Sequence, residues 1–225
     1  MLSTLNINGN SHVKCEDSVW IKETEHVIEG GIFDGCSSGI NSHWASQLLV
    51  YLFTNATNIL NSKSVCEHTV LYVLYALREL KVMLGLNVTN FESTALLFYY
   101  NKVTKTLFVR SFGDGCYYVN GKEYLIDQNN IPDYLAHHIH KTQKELVEFI
   151  NKYPIQIYSD VENFKICSDG IKAIVSSQYE DVRNPLDLLL APPTSKNYLP
   201  RMWNILKREH FTLSDDLSII SYATT

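Results

Sequence analysis

Apolar residues change their spacing several times along the chain, and the changes divide it into elements. Near the N-terminus two short runs, Ser18–Lys22 and Val27–Phe33, read as strands, the second rich in β-branched residues and glycine. Asn41–Leu60 then reads as a helix, with Asn41 or Ser42 placed to cap its first turn. Val65–Leu84 carries Leu71, Leu74, Leu77 and Leu80 at a spacing that lines one helical face, and Gly85 supplies a stop. Beyond it the period shortens. Thr94–Tyr100, Thr106–Phe112, Cys116–Val119 and Glu123–Ile126 read as strands, with Asn101-Lys102 and Asn120-Gly121 at the turns. A helix is expected over Ile131–Asn151, strands over Pro154–Ser159 and Asn163–Cys167, and a short helix around Ile171–Ser177. Asp181–Lys196 holds three of the six prolines and reads as a loop or broken helix, before a helix over Tyr198–Glu209 and a last strand over Leu217–Tyr222. Strands and helices are grouped more than alternated, which implies an α+β fold with antiparallel sheets and helices packed outside them. With no internal repeat, linker or low-complexity stretch, residues 1–225 are expected to form one domain.

Composition narrows the function more than the fold. A hydrophobic fraction of 45% is that of a globular chain. The formal net charge of −5 argues against broad nucleic-acid binding, which needs a concentrated basic surface, but an acidic balance favours cations. Cys15, Cys36, Cys66, Cys116 and Cys167 are odd in number, dispersed and without a C-x-x-C pair. Neither a disulfide framework nor a structural zinc site is expected from them. The N-terminus lacks a basic segment followed by an apolar one, and no stretch approaches about 20 consecutive apolar residues. No membrane association is expected, and the protein reads as cytoplasmic.

Four acidic motifs each sit beside an apolar strand: Glu16-Asp17 before SVWI, Asp34-Gly35 after IEGGIF, Ser168-Asp169-Gly170 after FKIC, and Asp215-Asp216 before LSII. Strand ends are where a rigid scaffold can hold charges near solvent. Carboxylates gathered together repel, and a divalent cation relieves the repulsion; all-oxygen ligation suits Mg²⁺ or Mn²⁺, singly or as a bridged pair. Glycine after aspartate permits a sharp turn and leaves the backbone carbonyl accessible to a metal. Asp-Gly is also an ordinary turn dipeptide, and spacing does not show that the four motifs meet. The residues alone reach as far as a di-metal carboxylate site and no further.

Taken in order, these motifs and others resemble those of the metal-dependent Ser/Thr protein phosphatases, type 2C, over nearly the whole chain. KCEDS resembles the family's early Glu-Asp motif, and GGIFDGCSSG its "FDGHGG" or "DGMGG" motif. ESTALLFYY resembles the "GSTA" strand, and VRSFGDGCYYV resembles "ANVGDSRAYL". FKICSDGIKAIV resembles "LLLCSDGLWDVV", and SDDLSIISY the closing "RDNITVIVV". The resemblance implies a four-layer αββα sandwich, two antiparallel sheets flanked by helix pairs, with two divalent cations, Mg²⁺ or Mn²⁺, at one end. Carried over by position, it implies that Asp34 bridges the cations, that the carbonyl of Gly35 binds one, and that Asp169 and Asp215 bind the other. Glu16 and Asp17 would lie beside them as direct or water-mediated ligands, and Asp216, at the place of the family's usual Asn, would stand behind Asp215. The implied activity is hydrolysis of phosphoserine and phosphothreonine on protein substrates by a cation-activated water.

Several positions depart from the family pattern. His12 and, nearby, Lys14 stand where an Arg clamps the substrate phosphate, and histidine binds phosphate only weakly and when protonated. Cys36 replaces the His of "DGHGG". Ala173 replaces a frequent acidic ligand of a third metal, for which Asp114 remains available. The Asp114–Asp169 stretch is short and holds His137, His138 and His140, whose spacing does not bring all three to one helical face, so they read as residues of a surface helix. These departures keep two other functions in view, a phosphatase-like binding module with little turnover and a phosphatase of small phosphorylated metabolites.

Overall fold

A computed structural model describes residues 1–38, 42–126, 132–176 and 184–224. Two five-stranded sheets, both antiparallel, form its centre. One has the order β2 (Asp17–Glu23), β3 (Val27–Asp34), β4 (Ala95–Asn101), β5 (Thr106–Phe112), β8 (Gln156–Tyr158). The other runs β1 (Leu2–Ile7), β12 (Leu217–Ala223), β9 (Asn163–Cys167), β6 (Gly115–Val119), β7 (Lys122–Ile126). A small third pair joins β10 (Ile174–Ser176) to β11 (Phe211–Leu213).

Alternation along the strands explains the layers. In β4, Leu96, Phe98 and Tyr100 face the other sheet, where Phe98 and Tyr100 meet Phe164 and Tyr222 with ring centroids 5.0–5.4 Å apart. Ala95 and Leu97 point the other way, into the core under α1 (Ser42–Leu60), α2 (Glu67–Leu84) and α3 (Gln143–Lys152). A strand buried on both faces reads as an unbroken apolar run, as ALLFYY does. On the far side Leu5, Cys116, Cys167 and Ile219 pack under α4 (Pro185–Leu189) and α5 (Tyr198–Arg208). The result is the expected helix–sheet–sheet–helix sandwich. No helix among the described residues is long and apolar enough to cross a membrane.

Local signals held where they had a backbone cause. Gly85 takes the left-handed conformation (φ 64°) and closes α2 with bonds to Lys81 and Val82. Asn120 and Gly121 both have positive φ, the turn that joins β6 to β7. The apolar stripe of α2 is shifted, however: Val70, Val73, Leu74 and Leu77 are buried, while Leu71 and Leu80 are half-buried at its margin.

Other expectations are corrected. The helix over Ile131–Asn151 is instead a 3₁₀ turn at Leu135–His138 followed by α3; residue 131 lies outside the described residues. Thr142 and Glu145 form a reciprocal capping box that starts α3 afresh. The three histidines do not sit on a surface helix. His138 is buried, stacked on Phe149 at 3.6 Å and bonded to Asp133, and burial lowers its pKa; His137 bonds Glu92 at 3.0 Å. The helix around Ile171–Ser177 is a 3₁₀ turn, Asp169–Lys172, leading into β10, because Ala173 bonds back to Gly170 and its carbonyl then accepts from Ser214; residue 177 is not described. Within 181–196, α4 begins at Pro185 with Asn184 as its cap; residues 181–183 are outside the described ones. Asn41 also lies outside them, and the Ser42 hydroxyl donates to the Glu16 carboxylate rather than capping its own helix. Strands β1 and β11 were not anticipated.

Candidate active site

The acidic motifs converge at one end of the sandwich, and strand register is the cause. Asp17 opens β2 and Asp34 closes β3, and the two are direct cross-strand partners. Ser168 and Asp169 leave β9 beside β12, which Asp215 and Asp216 precede. Two close backbone contacts lock the turns together. A Cβ at Gly170 would lie 1.7 Å from the carbonyl oxygen of Asp216, and one at Gly9 would lie 2.3 Å from the carbonyl carbon of Asp215. Gly35 is equally confined, since a Cβ there would stand 2.2 Å from the Ser42 carbonyl oxygen. Only glycine fits at these positions without moving backbone.

The two aspartates of the last motif have different tasks. The Asp216 side chain is 2% exposed and accepts from the Gly9 N–H at 2.6 Å, the Glu16 N–H at 2.5 Å and His12 Nδ1 at 2.9 Å. It is consumed in tying the Gly9–Glu16 segment to the end of β12. The Asp215 side chain is 47% exposed and faces the open side.

Asp17 is 4% exposed; its Oδ2 accepts from the Ser168 hydroxyl at 2.7 Å, while its Oδ1 is buried with no hydrogen-bond partner. Burial pushes its pKa up to about 7 against the bond from Ser168, and the charges of Asp216 and Asp169 add to the rise. Asp34 is raised well above the usual carboxylate range, by burial first and then by Asp17, Asp169 and Asp215; its carboxyl shares a hydrogen bond with that of Asp169. Asp169 is raised too, chiefly by burial and by Asp215, with Asp114 contributing. Glu16 accepts from Ser42, and its Oε2 is buried without a hydrogen-bond partner.

His12 does not reach outward. Its Nδ1 is held by Asp216, lies 3.6 Å from Asp215 Oδ1, and its Nε2 stands 3.7 Å from Glu16 Oε2. Burial opposes its charge, yet the hydrogen bond to Asp216 and the nearby carboxylates raise its pKa overall. His12, Glu16 and Asp216 bring possible ligand atoms within 4.8 Å of one another, but the Asp216 oxygens already accept from two backbone N–H groups. Lys14 lies apart, exposed, with its ammonium 3.5 Å from His43. Asp114, Asp169 and Asp215 line a cavity of about 280 Å³ with Gly115, Ile126, Lys172 and Ala173.

Chemically the site is a set of crowded carboxyl groups with hydrogen bonding left unfilled on two buried oxygens. In a dry site that charge must be neutralised by protons or by cations. The donors are all oxygen, which fits hard divalent ions such as Mg²⁺ or Mn²⁺ and not softer, thiolate-loving ones. Sequence reasoning missed the supports of the cluster: Ser168 behind Asp17, Ser42 behind Glu16, and Thr94, whose hydroxyl accepts from the Asp34 N–H at 3.0 Å. Their signal was adjacency, each lying within or just beside a motif.

No protein-family model matches the chain, and no curated protein matches it by sequence. Solved structures do. RsbX in complex with magnesium is 18% identical with a TM-score of 0.61, covering 97% of this chain and 92% of that one. A bacterial serine phosphatase is 14% identical with a TM-score of 0.62, covering 100% and 97%. The catalytic domain of the serine/threonine phosphatase PstP in complex with two manganese ions is 14% identical with a TM-score of 0.63, covering 98% and 96%. The likeness is one of fold, and it extends from end to end of the chain.

Proposed function

We propose that this chain, which has the fold of the bacterial type 2C serine phosphatases, is itself a metal-dependent phosphatase that hydrolyses phosphoserine and phosphothreonine on proteins. The observation that carries the reading is the convergence of Asp17, Asp34, Asp169 and Asp215 at one end of the sandwich, where burial and mutual repulsion raise the pKa values of Asp17, Asp34 and Asp169 and leave Asp17 Oδ1 without a partner. Asp34, the Gly35 carbonyl, Asp169 and Asp215 would hold two divalent cations. Glu16 and Asp17 would lie beside them, and Asp114 would be the residue to serve a third. When bound, two such ions supply a water of lowered pKa and neutralise charge on a phosphoryl group.

The chain's own residues do the positioning. Asp216 anchors the Gly9–Glu16 segment, so that Glu16 and Asp17 are presented together at the strand end. Ser168 fixes the rotamer of Asp17, and Thr94 fixes the backbone of Asp34 through both its hydroxyl and its N–H. Such fixed carboxylates need little rearrangement as a reaction proceeds, which is how preorganised sites lower barriers. The buried cysteines take no part in this scheme.

The orientation of His12 favours a second reading, a phosphatase-like binding module. Facing Asp216 and Glu16, it points away from where even a weak phosphate ligand in place of the family's Arg would reach. Hydrolysis of a phosphothreonine peptide separates the two. With Mn²⁺ or Mg²⁺ the wild type is expected to turn over, with EDTA to stop, and Asp34→Ala and Asp169→Ala to be inactive with metal. A wild type no faster than the variants would leave the binding module as the better reading. Activity on small phosphomonoesters and none on the peptide would point to a metabolite phosphatase.

A further inference from the structure

With His12 turned inward, the cavity beside the carboxylates needs another group to receive a phosphate. Its described lining holds three carboxylates, Asp114, Asp169 and Asp215, and a single cation, Lys172. We infer that Lys172 is the phosphate-binding cation of this site, receiving the phosphoryl group of the substrate in the cavity it shares with Asp114, Asp169 and Asp215. The inference rests on the reading of the acidic cluster as a cation-assisted phosphoryl site.

Three observations support it. The first is the geometry of the turn. Asp169 and Lys172 are the first and last residues of one 3₁₀ turn, and residues three apart in such a turn eclipse, so both side chains leave the same face. The second is rigidity. Ala173, directly after Lys172, bonds Gly170 at 2.9 Å, and its carbonyl accepts from both the N–H and the hydroxyl of Ser214; β10 then pairs with β11. The backbone carrying Lys172 is thereby clamped to the segment that presents Asp215. The third is availability. Lys172 is exposed, and among the described residues its ammonium forms no ion pair. Both ring nitrogens of His12 face carboxylates, and Lys14 is engaged with His43 away from this lining. An ammonium on a flexible stem is a suitable point charge for a phosphoryl oxygen, though not a bidentate fork. Ala173 adds little bulk beside it, which keeps the cavity open to a phosphorylated side chain.

The test uses the whole chain loaded with Mn²⁺, as wild type, Lys172→Met and Lys172→Arg, with inorganic phosphate as the probe. Calorimetric titration is expected to show phosphate binding weakened by about tenfold to a hundredfold in K172M, the loss of one charge-assisted hydrogen bond, and largely restored in K172R. Mn²⁺ affinity in K172M should be equal to or tighter than in wild type, because a positive charge beside Asp169 has gone. With a phosphothreonine peptide, K172M should raise KM more than it lowers kcat. Phosphate binding that is unchanged in K172M, or undetectable in wild type, would overturn the assignment. A wild type that binds phosphate through Lys172 and hydrolyses no phosphoester would support the assignment and overturn the phosphatase reading instead.

Discussion

Asp17 offers a direct way to ask whether the carboxylates are held for a cation or merely tolerated. The perturbation is pH, applied to protein stripped of metal by EDTA, in wild type and in Asp17→Asn. The folded-state pKa of Asp17 is pushed up to about 7, from an ordinary value of 3.8. A carboxyl whose folded pKa is raised binds its proton more tightly in the native state than in the unfolded one. Its contribution to stability is therefore fully present below about pH 4 and is lost as pH rises through about 7. A rise of about three units corresponds to about 4 kcal/mol across that window, at about 1.4 kcal/mol per unit. For a chain of this size that amounts to a fall in Tm of roughly ten degrees. Other carboxylates that are paired in the native state slope the opposite way, so the informative quantity is the difference between the two proteins. Asn keeps the acceptor for Ser168 and turns its amide toward carboxyl neighbours. D17N should therefore be flatter between pH 4.5 and 7.5, and more stable than wild type at pH 7.5 without metal. Adding Mn²⁺ at pH 7.5 should raise the Tm of wild type more than that of D17N. Thermal unfolding followed by circular dichroism measures all of this. Parallel pH profiles for the two proteins would refute the reasoning.

Two further substitutions examine the frame of the site. Gly170→Ala places a Cβ 1.7 Å from the Asp216 carbonyl oxygen, so backbone must move. It should cost at least the 1–3 kcal/mol typical of overpacking, roughly, in urea unfolding, and weaken Mn²⁺ binding as the Asp169 and Asp215 turns separate. Asp216→Asn should destabilise the protein by about 2 kcal/mol or more even without metal, since it weakens bonds from two backbone N–H groups and His12. Asp215→Asn should leave metal-free stability unchanged or slightly higher, because the side chain is half exposed and crowded by like charge, while weakening Mn²⁺ binding.

Much of the sandwich was legible because its signals were local. Asn120-Gly121 names its turn, Gly85 its helix stop, and ALLFYY announces a strand buried on both faces. The acidic motifs were legible as well, since each was an aspartate at the mouth of an apolar strand. What was not legible depended on partners far along the chain. LSTLNI alternates weakly and places Ser3 inside; it becomes β1 by pairing with β12 at the other end of the molecule. The Ile174–Ser176 segment becomes a strand because Phe211–Leu213 lies beside it. The break in Ile131–Asn151 was readable, in contrast, as Thr142 and Glu145 carry a capping-box pattern that helical periodicity obscured. The inward turn of His12 followed from Asp216, whose place in the chain gave no hint that it would lie 2.9 Å away. Lys172 became a candidate only with the 3₁₀ turn found in place of the expected helix, which has Asp169 and Lys172 at its two ends.

The claim on which the rest stands is that these carboxylates form a site for two divalent cations. Calorimetric titration of the EDTA-treated, dialysed protein with Mn²⁺ at pH 7.5, in wild type and Asp34→Asn, tests it most directly. Two ions bound per chain in wild type, with at least one lost in D34N and protons released on binding as Asp17 and Asp34 ionise, is the predicted result. Binding of no ion, or the same number with the same affinity in D34N, would contradict it.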